Sequence, residues 1–226
     1  MRALIVSGGQ TDPEQLRQEV TDLRASGGLL IAADSGLQAL DCLICWEDPG
    51  IFLPDVAVGD FDSVDPQVLE RFLQWDQIRI ERHRPEKNET DTELAFTIAQ
   101  EAGVTEIVLM GATGTRLDHV LSNVHLLKAA RDRGLSCTLL DRYNRICLAE
   151  KSMEFQKEEQ WPFVSLVPLS MEVTGVTLQG FKYPLQDHRL ILGQECGLCV
   201  SNELAAEKAT LEMKEGLLLV IRARDK

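Results

Sequence analysis

Basic residues are scarce in this 226-residue chain: 23 Lys and Arg stand against 36 Asp and Glu, giving a formal net charge of −13 and a pI near 4.8. Such a balance offers no basic footprint for nucleic acid or an anionic membrane. An anionic small molecule would need a cation to bridge it to so acidic a protein. We therefore expect neither nucleic acid nor membrane among the partners.

Long apolar runs are missing as well. The run at residues 3–6 is too short for the core of a signal peptide. The run at residues 217–221 has the length of a strand, whereas a membrane helix needs about 20 apolar residues. Six cysteines without a secretion signal are typical of reduced thiols. These observations predict a cytoplasmic location.

Two common phosphoryl-transfer signatures are also lacking: the chain has no G-x-x-x-x-G-K-[ST] loop and no kinase H-R-D motif. Any phosphoryl transfer would require a different architecture.

Strand-like and helix-like segments alternate over residues 1–149. The apolar run Leu29-Leu30-Ile31-Ala32-Ala33 is typical of a buried strand, and Asp12-Pro13 and Asp65-Pro66 are typical of an N-cap followed by a first-turn proline. Thr90 and Glu93 have the spacing of a capping box, which predicts a helix from about Asp91. Repeated alternation of this kind predicts a Rossmann-like α/β domain with a parallel sheet.

Short β-rich runs replace this pattern over residues 150–226. They include Val164-Ser165-Leu166-Val167 and Leu198-Cys199-Val200. We predict a small all-β sandwich or barrel, connected to the first domain through the charged segment 150–159.

The motif Gly59-Asp60-Phe61-Asp62-Ser63 follows a predicted strand. In an extended chain, residues two apart project to the same side, so Asp60 and Asp62 would both face one divalent ion while Phe61 packs inward. The carboxyl end of a parallel strand is where open α/β sheets bind ligands. The alternative is an Asp-rich turn held by its own hydrogen bonds.

Three more carboxylates occupy comparable places: Asp34 after the second strand, Asp91 at a helix start, and Asp118 between a glycine loop and a helix. Each of them alone is equally typical of an N-cap. Several carboxylates that converge without a metal would repel one another by about 1 to 4 kcal/mol per close pair. The group is therefore best explained by Mg²⁺.

Local positive charge lies close to these acids in the sequence. Arg116 and the loop 82–87, which contains Lys87, could hold the oxygens of a polyphosphate. The alternative is a solvated loop paired with neighbouring glutamates. The loop Gly111-Ala112-Thr113-Gly114-Thr115 could add backbone N–H donors, although a short glycine loop has little specificity.

Taken in order, four segments resemble the thiamine pyrophosphokinase family, and two later segments resemble its thiamine-binding β domain. The four are Asp34-Ser35-Gly36, Gly59-Asp60-Phe61-Asp62-Ser63, Lys87-Asn88-Glu89-Thr90-Asp91-Thr92-Glu93 and Gly111-Ala112-Thr113-Gly114-Thr115-Arg116-Leu117-Asp118-His119. The two are Thr174-Gly175 with Gly180-Phe181-Lys182-Tyr183-Pro184-Leu185, and Ser201-Asn202-Glu203.

The resemblance implies Mg²⁺-dependent transfer of a pyrophosphoryl group from ATP to thiamine, giving thiamine diphosphate and AMP. It implies that residues 1–149 bind the nucleotide and the metal, and that residues 150–226 bind thiamine. The site residues it implies are the metal ligands Asp60, Asp62 and Asp91, the site acid Asp118, the nucleotide contacts Asp34, Lys87, Thr90, Arg116 and His119, and the thiamine contacts Tyr183, Ser201 and Asn202.

Family members are homodimers with thiamine between the subunits, so the resemblance implies a homodimer here. Tyr183 could stack on a cationic or aromatic ring, or it could pack in the core at a strand end. Two other functions stay open: a metal-dependent phosphohydrolase or pyrophosphokinase for another alcohol, and a non-catalytic nucleotide- or thiamine-sensing module.

Overall fold

Strands and helices alternate through the first of the two units into which the chain divides, Met1–Arg142 and Tyr143–Lys226. The structure is a computed structural model, and it describes residues 1–44, 49–84, 86 and 88–226. The segment 143–149, which the sequence analysis assigned to the first domain, belongs to the second unit.

The first unit is built from strands joined by helices. Its strands are β1 (Arg2–Val6), β2 (Leu29–Ala33), β3 (Val56–Gly59), β4 (Arg79–Arg82), β5 (Glu106–Met110) and β6 (Ser136–Leu140). Its helices are α1 (Pro13–Ala25), α2 (Gly36–Ile44), α3 (Pro49–Phe52), α4 (Pro66–Leu73), α5 (Asp91–Glu101) and α6 (Leu117–Asp132).

These strands pair in parallel in the order β4-β3-β2-β1-β5-β6, which confirms the predicted α/β class. The chain adds β2, β3 and β4 on one side of β1 and then places β5 and β6 on the other side. A reversal of this kind opens a crevice outside the carboxyl ends of the two strands at the switch, here β1 and β5. The topology therefore indicates where a ligand would bind.

The predicted helix starts are present. The side chains of Asp12 and Asp65 cap α1 and α4, and a proline follows each of them. Thr90 caps α5 and forms a reciprocal capping box with Glu93. Because Thr90 is the cap, Asp91 lies in the first turn of the helix rather than at the N-cap.

The second unit is all β. Its strands are β7 (Asn144–Ala149), β8 (Ser152–Gln156), β9 (Phe163–Pro168), β10 (Glu172–Gln179), β11 (Leu185–Ile191), β12 (Asn202–Glu203), β13 (Lys208–Glu212) and β14 (Leu218–Ala223). Antiparallel pairing gives the orders β12-β9-β14-β7 and β11-β10-β13-β8. Side chains of both sets share one core, in which Val164 and Val220 lie with Val176 and Leu211.

Two sequence predictions in this unit are wrong. The charged segment 150–159 is not a simple linker, because β8 lies within it and buries Phe155 among polar neighbours. Residues 198–200 form turns instead of a strand. Only Cys199 of these three is buried, so the segment has no continuous apolar face that a strand would pack.

Among the described residues, no helix is both long enough and apolar enough to span a membrane.

Candidate active site

A polar cavity of about 460 Å³ opens at the carboxyl ends of the parallel strands, where the strand order reverses. It is surrounded by the loops after β1, β2, β3 and β5 and by the first turns of α5 and α6. The lining residues are 7–9, 33–35, 60, 63, 89–92, 111–116, 119, 120, 122 and 123. Most of the functional residues predicted in the first unit therefore lie at the switch point of the sheet.

Two glycine-bearing loops touch each other at the base of the cavity. Gly9 N–H donates to Gly111 O at 2.7 Å, and Gln10 N–H donates to Thr113 O at 2.8 Å. A Cβ on Gly9 would lie 2.2 Å from Thr113 O, and one on Gly111, whose φ is +67°, would lie 2.1 Å from Ser7 O. Any side chain at either position would push the loops apart, so glycine is required for this contact.

Asp34, Asp60 and Asp62 form an acid cluster, of which Asp34 and Asp60 line the cavity and Asp62 is not among the lining residues. One carboxylate oxygen of each residue lies within 4.8 Å of the other two. Oδ1 of Asp34 is buried without a hydrogen-bond partner among the described residues, which is a costly state for a carboxylate oxygen. Hard oxygen ligands that converge in this way fit Mg²⁺ or Ca²⁺.

The carboxylates of Asp60 and Asp62 converge through a turn, and not through the extended chain that their spacing predicts. Phe61 between them has a φ of +63° and is buried as expected, with 5% of its surface exposed. Asp62 N–H donates to Asp60 Oδ1 at 3.1 Å. A left-handed conformation at a bulky residue costs about 1 to 3 kcal/mol. Burial of the ring offsets this cost, and the Arg82 guanidinium lies 5.6 Å from the ring centroid.

The start of α5 brings further polar groups to the cavity. Thr90 and Asp91 both line it. The N-terminal end of a helix carries partial positive charge, so it favours a bound anion. Lys87, another predicted nucleotide contact, lies outside the described residues.

Arg116 and His119 line the cavity, whereas Asp118 is not among the lining residues. The Arg116 guanidinium donates to both carboxylate oxygens of Asp118, at 2.6 and 3.3 Å. This hydrogen bonding lowers the pKa of Asp118 to about 2, and it raises the pKa of Arg116. A carboxylate with so low a pKa is a weak base near neutral pH, so Asp118 is a poor general base in this conformation.

Several lining residues were not identified as functional by the sequence analysis. Ser7, Gly8 and Gly9 follow β1, and Asn123 of α6 donates from Nδ2 to Ala112 O at 2.9 Å. Glycines directly after the first strand of an α/β unit were an available signal. Asn123 lies in the middle of a helix, and nothing in its sequence neighbourhood distinguished it.

The three predicted contacts in the second unit differ in exposure. Tyr183 is 58% exposed, whereas Asn202 is only 4% exposed. Asn202 Nδ2 donates to Tyr183 O at 2.8 Å, and Asn202 Oδ1 accepts from Tyr183 N at 3.1 Å and from Glu203 N at 2.9 Å. Ser201 has a φ of +57°, and its N–H donates to Ser165 Oγ at 2.9 Å. The Asn202 amide is thus used to hold the backbone of Tyr183.

Comparison with known proteins gives a consistent result for both units. The sequence model described as "Thiamin pyrophosphokinase, catalytic domain" matches residues 20–139, and "Thiamin pyrophosphokinase, vitamin B1 binding domain" matches residues 150–218. A curated relative from Bacillus subtilis (strain 168), named "Thiamine pyrophosphokinase", is 33% identical over 222 residues, which cover 98% of each protein.

Solved structures are similar to the whole chain. A thiamine pyrophosphokinase crystal structure from Bacillus subtilis has a TM-score of 0.84 and 30% identity, and the match covers 100% of both chains. A thiamin pyrophosphokinase crystal structure from Geobacillus thermodenitrificans has a TM-score of 0.79 and 33% identity, covering 100% of this chain and 99% of that one.

Proposed function

Because the chain belongs to the thiamin pyrophosphokinase family, we propose that the cavity of its first unit binds ATP with Mg²⁺ for pyrophosphoryl transfer to thiamine. The family reaction gives thiamine diphosphate and AMP. The oxygen of the primary alcohol of thiamine attacks the β-phosphorus, the bond from that phosphorus to the α,β-bridging oxygen breaks, AMP leaves, and the proton of the alcohol is released to solvent.

Asp34, Asp60 and Asp62 are the residues we propose to hold the metal ion, with Asp91 as a further acid of the same cavity. This assignment adds Asp34 to the predicted ligand set, because its carboxylate oxygen lies within 4.8 Å of those of Asp60 and Asp62. Bound Mg²⁺ would neutralise phosphate charge and align phosphate oxygens.

The protein groups around the cavity would then orient the triphosphate. Backbone N–H groups of the glycine loop 111–115 and the start of α5 are suited to phosphate oxygens. Arg116 has five N–H donors and uses two of them on Asp118, which leaves three for phosphate. Thr90, His119 and Lys87 complete the nucleotide contacts that we propose.

Thiamine contacts come from the second unit in this proposal. Tyr183 presents an exposed ring that could stack on thiamine, and the hydroxyl of Ser201 is adjacent in the chain to Asn202, which holds the Tyr183 backbone. We also propose that the protein is a homodimer and that it works in the cytoplasm. Gel filtration with light scattering would measure the first property.

The observation that carries the proposal is the acid cluster Asp34–Asp60–Asp62, two of whose members, Asp34 and Asp60, line a polar cavity at the switch point of the sheet. Incubation with thiamine, Mg²⁺ and ATP labelled in the γ-phosphate should give AMP and thiamine diphosphate in equal amounts. The label should appear in thiamine diphosphate, because the β- and γ-phosphates move together.

Other products would contradict this proposal in specific ways. Labelled inorganic phosphate together with ADP as the main products would indicate a phosphohydrolase. Rapid turnover with a different alcohol, and none with thiamine, would indicate another pyrophosphokinase. Binding of thiamine or nucleotide without turnover would indicate a sensing module.

A further inference from the structure

Two buried hydroxyl groups meet at the wall of the cavity. Ser7 Oγ and Thr92 Oγ1 are 2.8 Å apart, and the two residues are 5% and 8% exposed. They are 85 positions apart in the sequence, and both line the cavity. The hydrogen bond therefore joins the end of β1 to the first turn of α5.

The backbone of Ser7 is held in place by neighbouring strands. It follows β1, which pairs with β2 on one side and β5 on the other. Its N–H donates to Met110 O at 2.8 Å, so its backbone is tied to the end of β5 as well. Because the Ser7 backbone is anchored, the hydrogen bond from its side chain can set the position of Thr92.

Thr92 directly follows Asp91 in the first turn of α5. The capping box of Thr90 and Glu93 makes this turn a regular helix start, so the backbone positions of Asp91 and Thr92 are fixed relative to each other by helical geometry. A hydrogen bond to Thr92 therefore also sets where Asp91 lies relative to the cavity.

A hydroxyl pair is not what packing alone requires here. Buried hydroxyl groups cost free energy unless they are partnered, and an Ala and Val pair would fill similar space without that cost. A hydrogen bond, in contrast, has a preferred length and angle. The pair thus supplies a directional link where an apolar contact would allow sliding.

We propose that the Ser7–Thr92 hydrogen bond positions α5 so that Asp91 stays at the cavity shared with Asp34 and Asp60. Ser7 and Thr92 are then positioning residues, which act through Asp91. The inference rests on the proposed function, because the placement of Asp91 matters only if this cavity binds Mg²⁺ and nucleotide.

Three variants test the inference: Ser7→Ala, Thr92→Val and the double variant. Each single variant leaves one buried hydroxyl without its partner, so the melting temperature should fall by about 2 to 8 °C. The double variant has no orphaned hydroxyl, and its melting temperature should return to within about 2 °C of the parent protein.

The affinity for Mg²⁺ should stay reduced in the double variant even though its melting temperature recovers. We expect all three variants to need about tenfold more Mg²⁺ for half-maximal thermal stabilisation in the presence of a non-hydrolysable ATP analogue. The same variants should show a similar rise in the Mg²⁺ concentration that half-saturates turnover. The first measurement does not depend on catalysis.

Two further variants sharpen the readout. Thr92→Ser keeps the hydroxyl and should restore most of the Mg²⁺ affinity. Thr97→Val is the control, because Thr97 lies in the same helix and does not line the cavity. Its hydroxyl donates to Glu93 O of its own helix at 3.3 Å and accepts from the exposed Arg133 Nη1 at 3.2 Å, so the change removes a hydroxyl contact of α5 away from the cavity. It should leave the Mg²⁺ dependence unchanged.

Recovery of both stability and Mg²⁺ affinity in the double variant would overturn the inference, since the pair would then be merely structural. Asp91→Asn separates this failure from failure of the proposed function. If Asp91→Asn keeps normal Mg²⁺ affinity and turnover, the proposed role of Asp91 is wrong and the inference falls with it. If Asp91→Asn loses both but the double variant loses neither, only the positioning role is refuted.

Discussion

Buried polar side chains beside the predicted contacts of the two units differ in how fully they are hydrogen-bonded. At the cavity of the first unit, the buried Oδ1 of Asp34 has no hydrogen-bond partner among the residues that the structure describes. In the second unit, the buried amide of Asn202 makes three hydrogen bonds to backbone groups. The Asp34 carboxylate thus keeps an acceptor unused at the cavity, whereas the Asn202 amide uses its donor and acceptor to fix the backbone beside the exposed ring of Tyr183.

Backbone strain separates the units in the same way. Asp34 and Phe61 both have positive φ, at 48° and 63°, and they hold the acid cluster together. Ser201 has a φ of 57°, but it lies between a turn and the saturated Asn202. Asp187 and Glu195 of the second unit also have positive φ, at 47° and 46°, and both are exposed. The positive φ values of the first unit therefore lie within the acid-cluster segments, whereas those of the second unit lie at exposed residues.

The largest effect should come from Asp62→Asn, which removes a charge with little change in volume. We expect turnover to fall by about 100-fold or more, because phosphate charge would be poorly neutralised. The melting temperature without metal should stay level or rise, since one member of a repelling cluster is lost. Product formation and calorimetry measure the two quantities.

Asp65→Asn is a matched control for this change. Asp65 caps α4 by accepting from Gln67 N at 2.8 Å, and asparagine caps helices equally well. Equal losses of turnover in Asp62→Asn and Asp65→Asn would remove the distinction between the acid cluster and the surrounding acidic surface.

An intermediate effect is expected for Asn202→Leu in the second unit. The change leaves the N–H and C=O groups of Tyr183 without partners, which should destabilise the protein by about 2 to 4 kcal/mol. The melting temperature should fall by about 4 to 12 °C. The KM for thiamine should rise more than the KM for ATP, as steady-state kinetics would show.

Lys182→Met serves as the comparison for that variant. It breaks the ion pair of Lys182 with Glu203, at 2.8 Å, while leaving the Asn202 amide in place. The two side chains are 50% and 43% exposed, and the Lys182 ammonium also lies 5.7 Å from the centroid of the Tyr183 ring. Half-exposed contacts of this kind contribute little, so the melting temperature should change by no more than about 2 °C. An equal loss in both variants would mean that the Asn202 amide has no special role.

The smallest effect concerns Asp118, whose pKa of about 2 reflects its hydrogen bonds from Arg116. A lowered carboxyl pKa contributes stability above the unfolded value of about 3.9, and that contribution is lost as pH falls through the folded pKa. Since the pair is exposed, the melting temperature between pH 5 and 2 should change little through this group.

Arg116→Leu should return the pKa of Asp118 to about 3.9, measured by carbon NMR titration of the carboxyl group. In the parent protein Asp118 stays ionised above pH 4. Any fall in the reaction rate on acidification above pH 4 should therefore come from groups other than Asp118. If the Asp118 carboxyl of the unsubstituted protein titrates near pH 4, the Arg116–Asp118 pair does not persist in solution.

Local chemistry explains why much of the fold was predictable. Thr90 and Glu93 define the start of α5 within four residues of sequence, and the apolar run of β2 is visible by itself. β8 was missed because its buried side, centred on Phe155, is hidden among charged neighbours. Whether such a segment is a strand depends on the pairing with β13, which is 50 or more residues away.

The site was predictable in its residue types but not in its geometry. The spacing of Asp60 and Asp62 identified them as a pair. The positive φ of Phe61, which brings their carboxylates together, was not predictable, because glycine or asparagine usually marks such a position and Phe61 is neither. Ser7 was missed because its side-chain partner, Thr92, lies 85 positions away in the sequence. Asn123 was missed because its contact with Ala112, 11 positions earlier, follows no local motif.

The sequence by itself determined the α/β and all-β division, the helix caps and the acidic motifs, because these depend on side-chain chemistry and spacing along a few residues. Only the tertiary structure decided that β1 and β5 flank the crevice, that Asp34 joins Asp60 and Asp62, and that Asn202 holds Tyr183. Those relationships are distances between segments far apart in the chain, and packing of the sheets sets them.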